Sequence, residues 1–83
     1  MLTELTFQKG EIVMMPLSLA ETNTEQIIRK VGGSPEIRQH LENLGFTVGE
    51  TVTLVNTLGG NVIVKVKESR VAIGEDLARK IMV

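Results

Sequence analysis

The residue pair with the clearest chemical potential is Glu36 and His40, a carboxylate and the only imidazole of the chain. They lie four positions apart in a segment whose pattern predicts a helix, so both side chains would project from one face. Such a pair supplies two ligands for a divalent metal, and a partner chain would have to complete the site. The alternative is that His40 is a half-buried polar residue next to Leu41. Two ligands without a third make a weak site, which favours the alternative.

Arg38 and Arg70 are the side chains best suited to bind a carboxylate or a phosphate of a partner. Guanidinium groups form paired hydrogen bonds with such anions. The alternative is that both are solvated surface arginines. Arg70 is the stronger candidate, because it points away from the apolar face that Val71 and Ile73 define in a predicted strand.

The composition excludes several other kinds of site. The 83 residues include no Cys, Trp or Tyr, and nine basic residues stand against ten acidic ones. Without Cys there is no disulfide, no zinc-finger cluster and no thiol nucleophile. No phosphate-binding glycine loop is present, and no Ser-His-acid triad can be argued. The net charge of −1 and the lack of aromatic stacking platforms argue against nucleic acid as a partner. We therefore predict a domain that is not an enzyme.

The N-terminal region leaves two interpretations open. Residues 1–13 precede Met14 and Met15, and residues 9–11 can be encoded by purine-rich codons that resemble a bacterial ribosome-binding site. Residues 1–13 are then either an extension upstream of the native start or a genuine part of the protein. The sequence has no signal-peptide pattern and no apolar run near the roughly 20 residues that span a bilayer. These features predict a cytoplasmic location without direct insertion into a membrane.

A helix is predicted over 35–44 from its end signals. Ser34 is an N-cap, Pro35 suits the first helical turn, and Gly45 offers a left-handed C-cap. Ile37, His40, Leu41 and Leu44 are spaced along one helical face.

Strands are predicted on both sides of this helix. The first main strand covers 25–31, and alternation predicts further strands over 51–56 and 61–67 and a last one at 71–73. A short C-terminal helix follows Gly74, with Leu77 and Ile81 as its buried stripe. A chain this small leaves sheet edges exposed, and curling the strands reduces that exposure. The predicted fold is mainly β with α: a small SH3-like β-barrel with an inserted helix after the first main strand and a short C-terminal helix.

The segment 41–52 resembles the signature of the FeoA family, a helix that ends Leu-x-x-Leu-Gly-hydrophobic and is followed by x-x-Gly and a strand. Segments 16–20, 60–64 and 69–74 resemble other parts of that family in the same order. The resemblance covers about residues 15–83, so we expect residues 1–13 to be an extension and 14–83 to be an SH3-like domain of the FeoA type.

The resemblance implies a small cytoplasmic accessory protein of bacterial ferrous iron uptake. It would act as a protein-protein interaction module that modulates FeoB, a membrane permease with a GTP-binding domain, at the inner face of the membrane. The alternative is a regulatory module similar to the C-terminal domain of iron-dependent transcriptional repressors. No cofactor is firmly implied, and a divalent metal and a homo-oligomer are left open.

The expected partner surface lies at the end of the predicted helix and on the sheet exterior. Phe46 either fills the core or anchors a partner at the helix–strand corner. Ile63, between inward Val62 and outward Lys65, would be exposed on the sheet and suits partner binding or self-association. The predicted contact residues are Leu44, Gly45, Phe46, Ile63 and Arg70.

Overall fold

The computed structural model describes residues 14–83. Residues 1–13 lie outside the described residues, so the expected extension stays a prediction. Six strands and two helices follow a 3₁₀ turn at Leu17–Leu19. The elements are β1 (Glu25–Ile27), β2 (Lys30–Val31), α1 (Pro35–Asn43), β3 (Thr51–Leu58), β4 (Asn61–Val66), β5 (Ser69–Gly74), α2 (Glu75–Ala78) and β6 (Ile81–Met82).

The strands form two antiparallel sheets. The larger sheet has the order β1-β3-β4-β5, and the smaller one pairs β2 with β6. The β3–β4 hairpin turns at Gly59 and Gly60, which have φ values of 49° and 82°. Positive φ at both positions matches the twist of the flanking strands, as the Gly-Gly pair predicts. The two sheets do not close into the predicted single barrel.

The core lies between the larger sheet and the elements packed on its inner face. Val52 and Leu54 of β3 face it, as do the alternating valines of β4, and Phe46 and Leu41 fill the space above them. Each of these side chains is almost fully removed from water. Burial of one such side chain contributes roughly 1.5–3 kcal/mol to folding.

Helix α1 has the predicted signals at both ends. The Ser34 hydroxyl accepts a hydrogen bond from the Ile37 N–H at 3.3 Å. At the other end, Phe46 N–H donates to the Leu41 carbonyl and Gly45 N–H to the Glu42 carbonyl, both at 2.9 Å. This pair of bonds is the Schellman motif. It leaves Gly45 at φ 105° and directs the chain so that Phe46 packs back into the core.

The predicted strand over 25–31 is two strands, because the chain changes partners in its middle. Ile27 is the last residue paired with β3, and Ile28 N–H then donates to the Glu50 carbonyl at 2.9 Å. Arg29 N–H donates to the Met82 carbonyl at 2.7 Å, which is already in the smaller sheet. The segment therefore passes from one sheet to the other.

The C-terminal helix is shorter than predicted. It ends at Ala78, and Ile81 lies in β6 instead of on a helical stripe. Ile81 is fully buried, as predicted, but it lies in a strand and not in the predicted helix. The chain end extends because Val83 and Met15 exchange backbone hydrogen bonds of 2.9 and 3.1 Å. Within residues 14–83, no helix has the length and apolar character needed to cross a bilayer.

Candidate functional site

Leu44, Gly45 and Phe46 form the inner side of the helix–strand corner. Phe46 has no exposed surface and belongs to the main core cluster, and Leu44 is half-buried against the same cluster. A Cβ on Gly45 would lie 3.5 Å from the Val66 side chain, on the inner face of the sheet. Of the two alternatives for Phe46, the first therefore holds: its side chain fills the core. In this conformation it is not available to a partner.

Val48 is the exposed apolar residue of this corner, and no pattern in the sequence distinguishes it. It lies two positions after Phe46 in the turn before β3, and 65% of it is exposed. The turn is fixed on both sides, since Gly49 N–H donates to the Ile28 carbonyl at 2.8 Å and Glu50 N–H to the Thr47 carbonyl at 3.0 Å. The corner thus presents Val48 to solvent from a rigid backbone.

Val48, Ile27 and Met14 together form an exposed apolar surface, which we call the apolar patch. They line an open depression of about 520 Å³, and Arg29 lies at its rim. Ile27 is 51% exposed and Met14 45% exposed. An apolar centre with an arginine at the rim has the composition of a protein-protein interface.

Val48 also lines a second depression, of about 430 Å³. Its walls are mostly polar and come from β2 and α1. Arg38 and Glu42 lie four positions apart on α1 and both contribute to it. Val48 therefore lines both an apolar depression and a more polar one. The lining residues of the second depression are Val31, Pro35, Arg38, Gln39, Glu42 and Val48.

Ile63 and Arg70 lie on the outer face of the larger sheet, on the side opposite to Phe46 and Gly45. Ile63 alternates with the buried valines of β4 and is half-buried, and Arg70 is exposed. The predicted contact residues therefore do not form one continuous surface. In the register, Lys65 of β4 is directly opposite Arg70 of β5. We call Lys65 and Arg70 the basic edge.

Glu36 and His40 are both exposed on α1, one helical turn apart. His40 lies outside the buried stripe, so it is neither half-buried nor a core residue. Among residues 14–83, no group of three or more His, Asp or Glu side chains converges in a way that could hold a metal ion. Zinc sites in proteins usually have four ligands, or three with an open position. The pair does not fit a complete site within the described part of the chain.

Two antiparallel sheets around one core, with a helix inserted between the second and third strands, define a small SH3-like domain. The FeoA domain model matches residues 15–83. A protein of Methanocaldococcus jannaschii assigned as an Fe(2+) transport protein A is 36% identical over 70 residues, which are 84% of this chain and 85% of that relative. The chain belongs to the FeoA family.

Solved structures support this assignment. The crystal structure of an iron uptake regulatory protein, FeoA, has a TM-score of 0.78 and 32% identity, and the match covers 87% of this chain and 96% of that chain. The FeoA of Stenotrophomonas maltophilia, a prokaryotic SH3 domain protein solved with zinc, has a TM-score of 0.70 and 27% identity over 81% of this chain and 86% of that one. The SH3-like fold and the FeoA resemblance are thereby confirmed. The family is one of small accessory transport proteins and not an enzyme family, as predicted.

A manganese-dependent transcriptional repressor shares the fold. Its TM-score is 0.80 over 92% of this chain and 44% of that chain, with 14% identity. An identity this low shows a common fold and carries no conclusion about activity. The predicted similarity was to the C-terminal domain of iron-dependent repressors, and the match to part of this manganese-dependent repressor supports it at the level of the fold.

Proposed function

We propose that this chain is a cytoplasmic accessory protein of ferrous iron uptake that binds the cytoplasmic face of a FeoB-type permease and modulates it as an interaction module. Membership of the FeoA family supports the link to ferrous iron transport. The single observation that carries the interaction role is the apolar patch, in which Ile27 and Val48 are both more than half exposed.

The patch suits the binding of another protein for two reasons. Three large apolar side chains from separate chain segments converge on one depression, and covering the exposed half of one of them contributes about 1 kcal/mol to a complex. In addition, the backbone that carries Val48 and Ile27 is held by hydrogen bonds. A surface that is already ordered loses little conformational entropy when the partner binds.

The metal donors do not support a role as an iron carrier. Glu36 and His40 provide two exposed donors and no third from the described residues. The S. maltophilia FeoA was solved with zinc. We infer that a divalent metal would need donors from a partner or a second copy, and that contact with the permease is the principal role of this chain.

The test is a binding measurement between the purified full chain and the purified cytoplasmic GTP-binding domain of the FeoB-type permease of the same organism. We expect Val48→Glu and Ile27→Glu to weaken binding at least about tenfold, because each would bury an unpaired carboxylate in an apolar contact. Leu58→Glu is the matched control. Leu58 is 60% exposed. Ile27 pairs with Thr51 of β3, and Leu58 lies seven positions further along that strand, roughly 23 Å away.

Two results would contradict the proposal. One is the absence of binding between the unmodified proteins at all salt concentrations tested. The other is equal weakening by Val48→Glu and Leu58→Glu, which would show that the apolar patch is not the contact. A regulatory role like that of the repressor domains is the alternative function, and only the common fold supports it.

A further inference from the structure

Strand β5 has one paired side and one open side. It pairs with β4 along its whole length and packs against α2 at its C-terminal end. In a hairpin with a two-residue turn, the residues that flank the turn exchange both backbone hydrogen bonds, and bonded pairs then alternate with unbonded ones. Val66 and Ser69 flank this turn. The N–H and C=O groups of Arg70 and Ala72 therefore point away from β4, towards the open side.

The backbone groups on this open side have no partner within the chain segment that the structure describes. No backbone hydrogen bond from residues 14–83 reaches the N–H of Arg70 or Ala72. On β3, by contrast, a side chain satisfies one backbone N–H: the side-chain oxygen of Asn56 accepts from the N–H of Thr57 at 2.8 Å. The open side of β5 is thus a row of donors and acceptors that no backbone group of residues 14–83 pairs with.

The charged side chains of β4 and β5 are both positive, Lys65 and Arg70. On the β3 side of Lys65, Glu25 and Glu50 line a depression together with Lys65 and Lys67. Lys65 and Arg70 are directly opposite each other, in a pair of the unbonded type, which brings the side chains closest together. Like charges in such a pair repel and destabilise the sheet. The ion pairs found among residues 14–83 join Lys67 to Glu50 and Arg79 to Glu75, so neither reaches Lys65 or Arg70. An anion beside the basic edge would remove the repulsion.

We propose that the open side of β5 binds an extended, acidic segment of a partner protein as an additional strand. The free backbone groups of Arg70 and Ala72 would form the hydrogen bonds, as in other β-augmentation complexes. A carboxylate of the segment would lie beside Arg70 and Lys65. Two positions further along the same face, the segment would meet Ala72 and the half-buried Ile63, which favour an apolar side chain.

A second copy of the chain is a poor occupant of the same edge. Pairing β5 with β5 of another copy would place two Arg70 and two Lys65 side chains on one shared face, with no acidic residue of β5 to balance them. Charged side chains on an edge strand are a known barrier to this kind of self-pairing. The basic edge therefore selects against the chain itself and for a segment of opposite charge.

The experiment uses the full chain and a labelled, Thr-rich peptide of about nine residues, with Glu and Val two positions apart on one face of the strand. We expect the peptide to bind and to slow amide hydrogen exchange of Arg70 and Ala72, and we expect the same peptide with Lys for Glu not to bind. Arg70→Glu should weaken binding at least about tenfold, and raising the salt concentration should weaken it as well. Lys30→Glu is the control with the same change of charge on exposed β2, and it should leave the affinity unchanged within about twofold.

Three results would overturn the proposal: no binding of the Glu peptide at millimolar concentration, binding without protection of the two amides, or equal loss from Arg70→Glu and Lys30→Glu. Thermal unfolding of each variant establishes that it is folded, and Arg70→Gln replaces the charge reversal if that variant is not. Because this test involves neither the permease nor the apolar patch, its outcome is independent of the function proposed above.

Discussion

The two edges of the four-stranded sheet present different chemical groups to a partner. At the β1 edge, Ile27 contributes an exposed apolar side chain next to Val48. At the β5 edge, the exposed charged side chain is Arg70, and the outward backbone groups have no backbone partner among residues 14–83. Even the outer face reflects this difference, because the row that ends with Lys65 and Arg70 begins with Glu25 on β1.

The difference follows from where the chain goes after each strand. From β1 the backbone continues directly into hydrogen bonds with Glu50 and then with Met82 of the smaller sheet. The backbone that follows β1 is occupied by these bonds, and the exposed side chains of Ile27 and Val48 are what this end of the sheet presents to a partner. After β5 the chain turns into α2, which packs against the strand end and leaves its long side open. One sheet therefore supports an apolar contact at one edge and strand addition at the other.

The largest effect should come from removing the buried side chain beneath the corner that carries Val48. Phe46→Ala deletes a fully buried ring, and we expect a loss of about 3–5 kcal/mol in the free energy of unfolding. Val48→Ala, two positions away, should change it by less than about 0.5 kcal/mol, because Val48 is mostly exposed. Urea denaturation monitored by circular dichroism measures both.

A loss of less than about 1 kcal/mol for Phe46→Ala would contradict the buried assignment. If that variant does not fold, Phe46→Leu is the milder replacement, and it should cost less than about 1.5 kcal/mol because most of the volume is kept.

The sequence was sufficient for features that depend on local chemistry. Ser34, Pro35 and Gly45 fixed the ends of α1, and the Gly59-Gly60 pair fixed the hairpin. It was not sufficient where long-range pairing decided the structure. Ile81 is equally compatible with a helical stripe and a strand, and only its register with Val31 selects the strand.

The candidate site was only partly predictable for the same reason. Phe46 and Val48 are both apolar residues of one turn, and the Schellman geometry decides which of them is buried. The apolar patch joins Met14, Ile27 and Val48 from three distant parts of the sequence. The basic edge, by contrast, could be anticipated in part, because alternation on β4 and β5 placed Arg70 and Lys65 outward.

A smaller loss of stability should result from adding a Cβ at Gly45, in the helix–strand corner. Gly45 has φ 105°, a conformation that side chains of L-residues rarely adopt, while the space around it is open to ordinary contact at 3.5 Å. We expect Gly45→Ala to cost about 1–2 kcal/mol through backbone strain, without steric damage to Val66. The corresponding Gly49→Ala has a similar φ of 94° and no neighbour within 4 Å, so it separates strain from contact. A much larger loss for Gly45→Ala than for Gly49→Ala would show that packing against β4, and not strain, dominates at the corner.

The smallest predicted effect is the coupling energy between the two positive charges at the β5 edge. If Lys65 and Arg70 repel each other, removing either charge relieves the same repulsion, so the effects of Lys65→Gln and Arg70→Gln should not add. We expect the double-mutant cycle to give an unfavourable coupling between the two charges of about 0.2–1 kcal/mol at low salt. The coupling should fall towards zero near 1 M salt, where the screening length is roughly 3 Å. A favourable or zero coupling at low salt would mean that the two side chains already avoid each other, and the electrostatic reason for an acidic partner at this edge would disappear. The open backbone of β5 would then be the remaining reason to expect an added strand, with no preference for its charge.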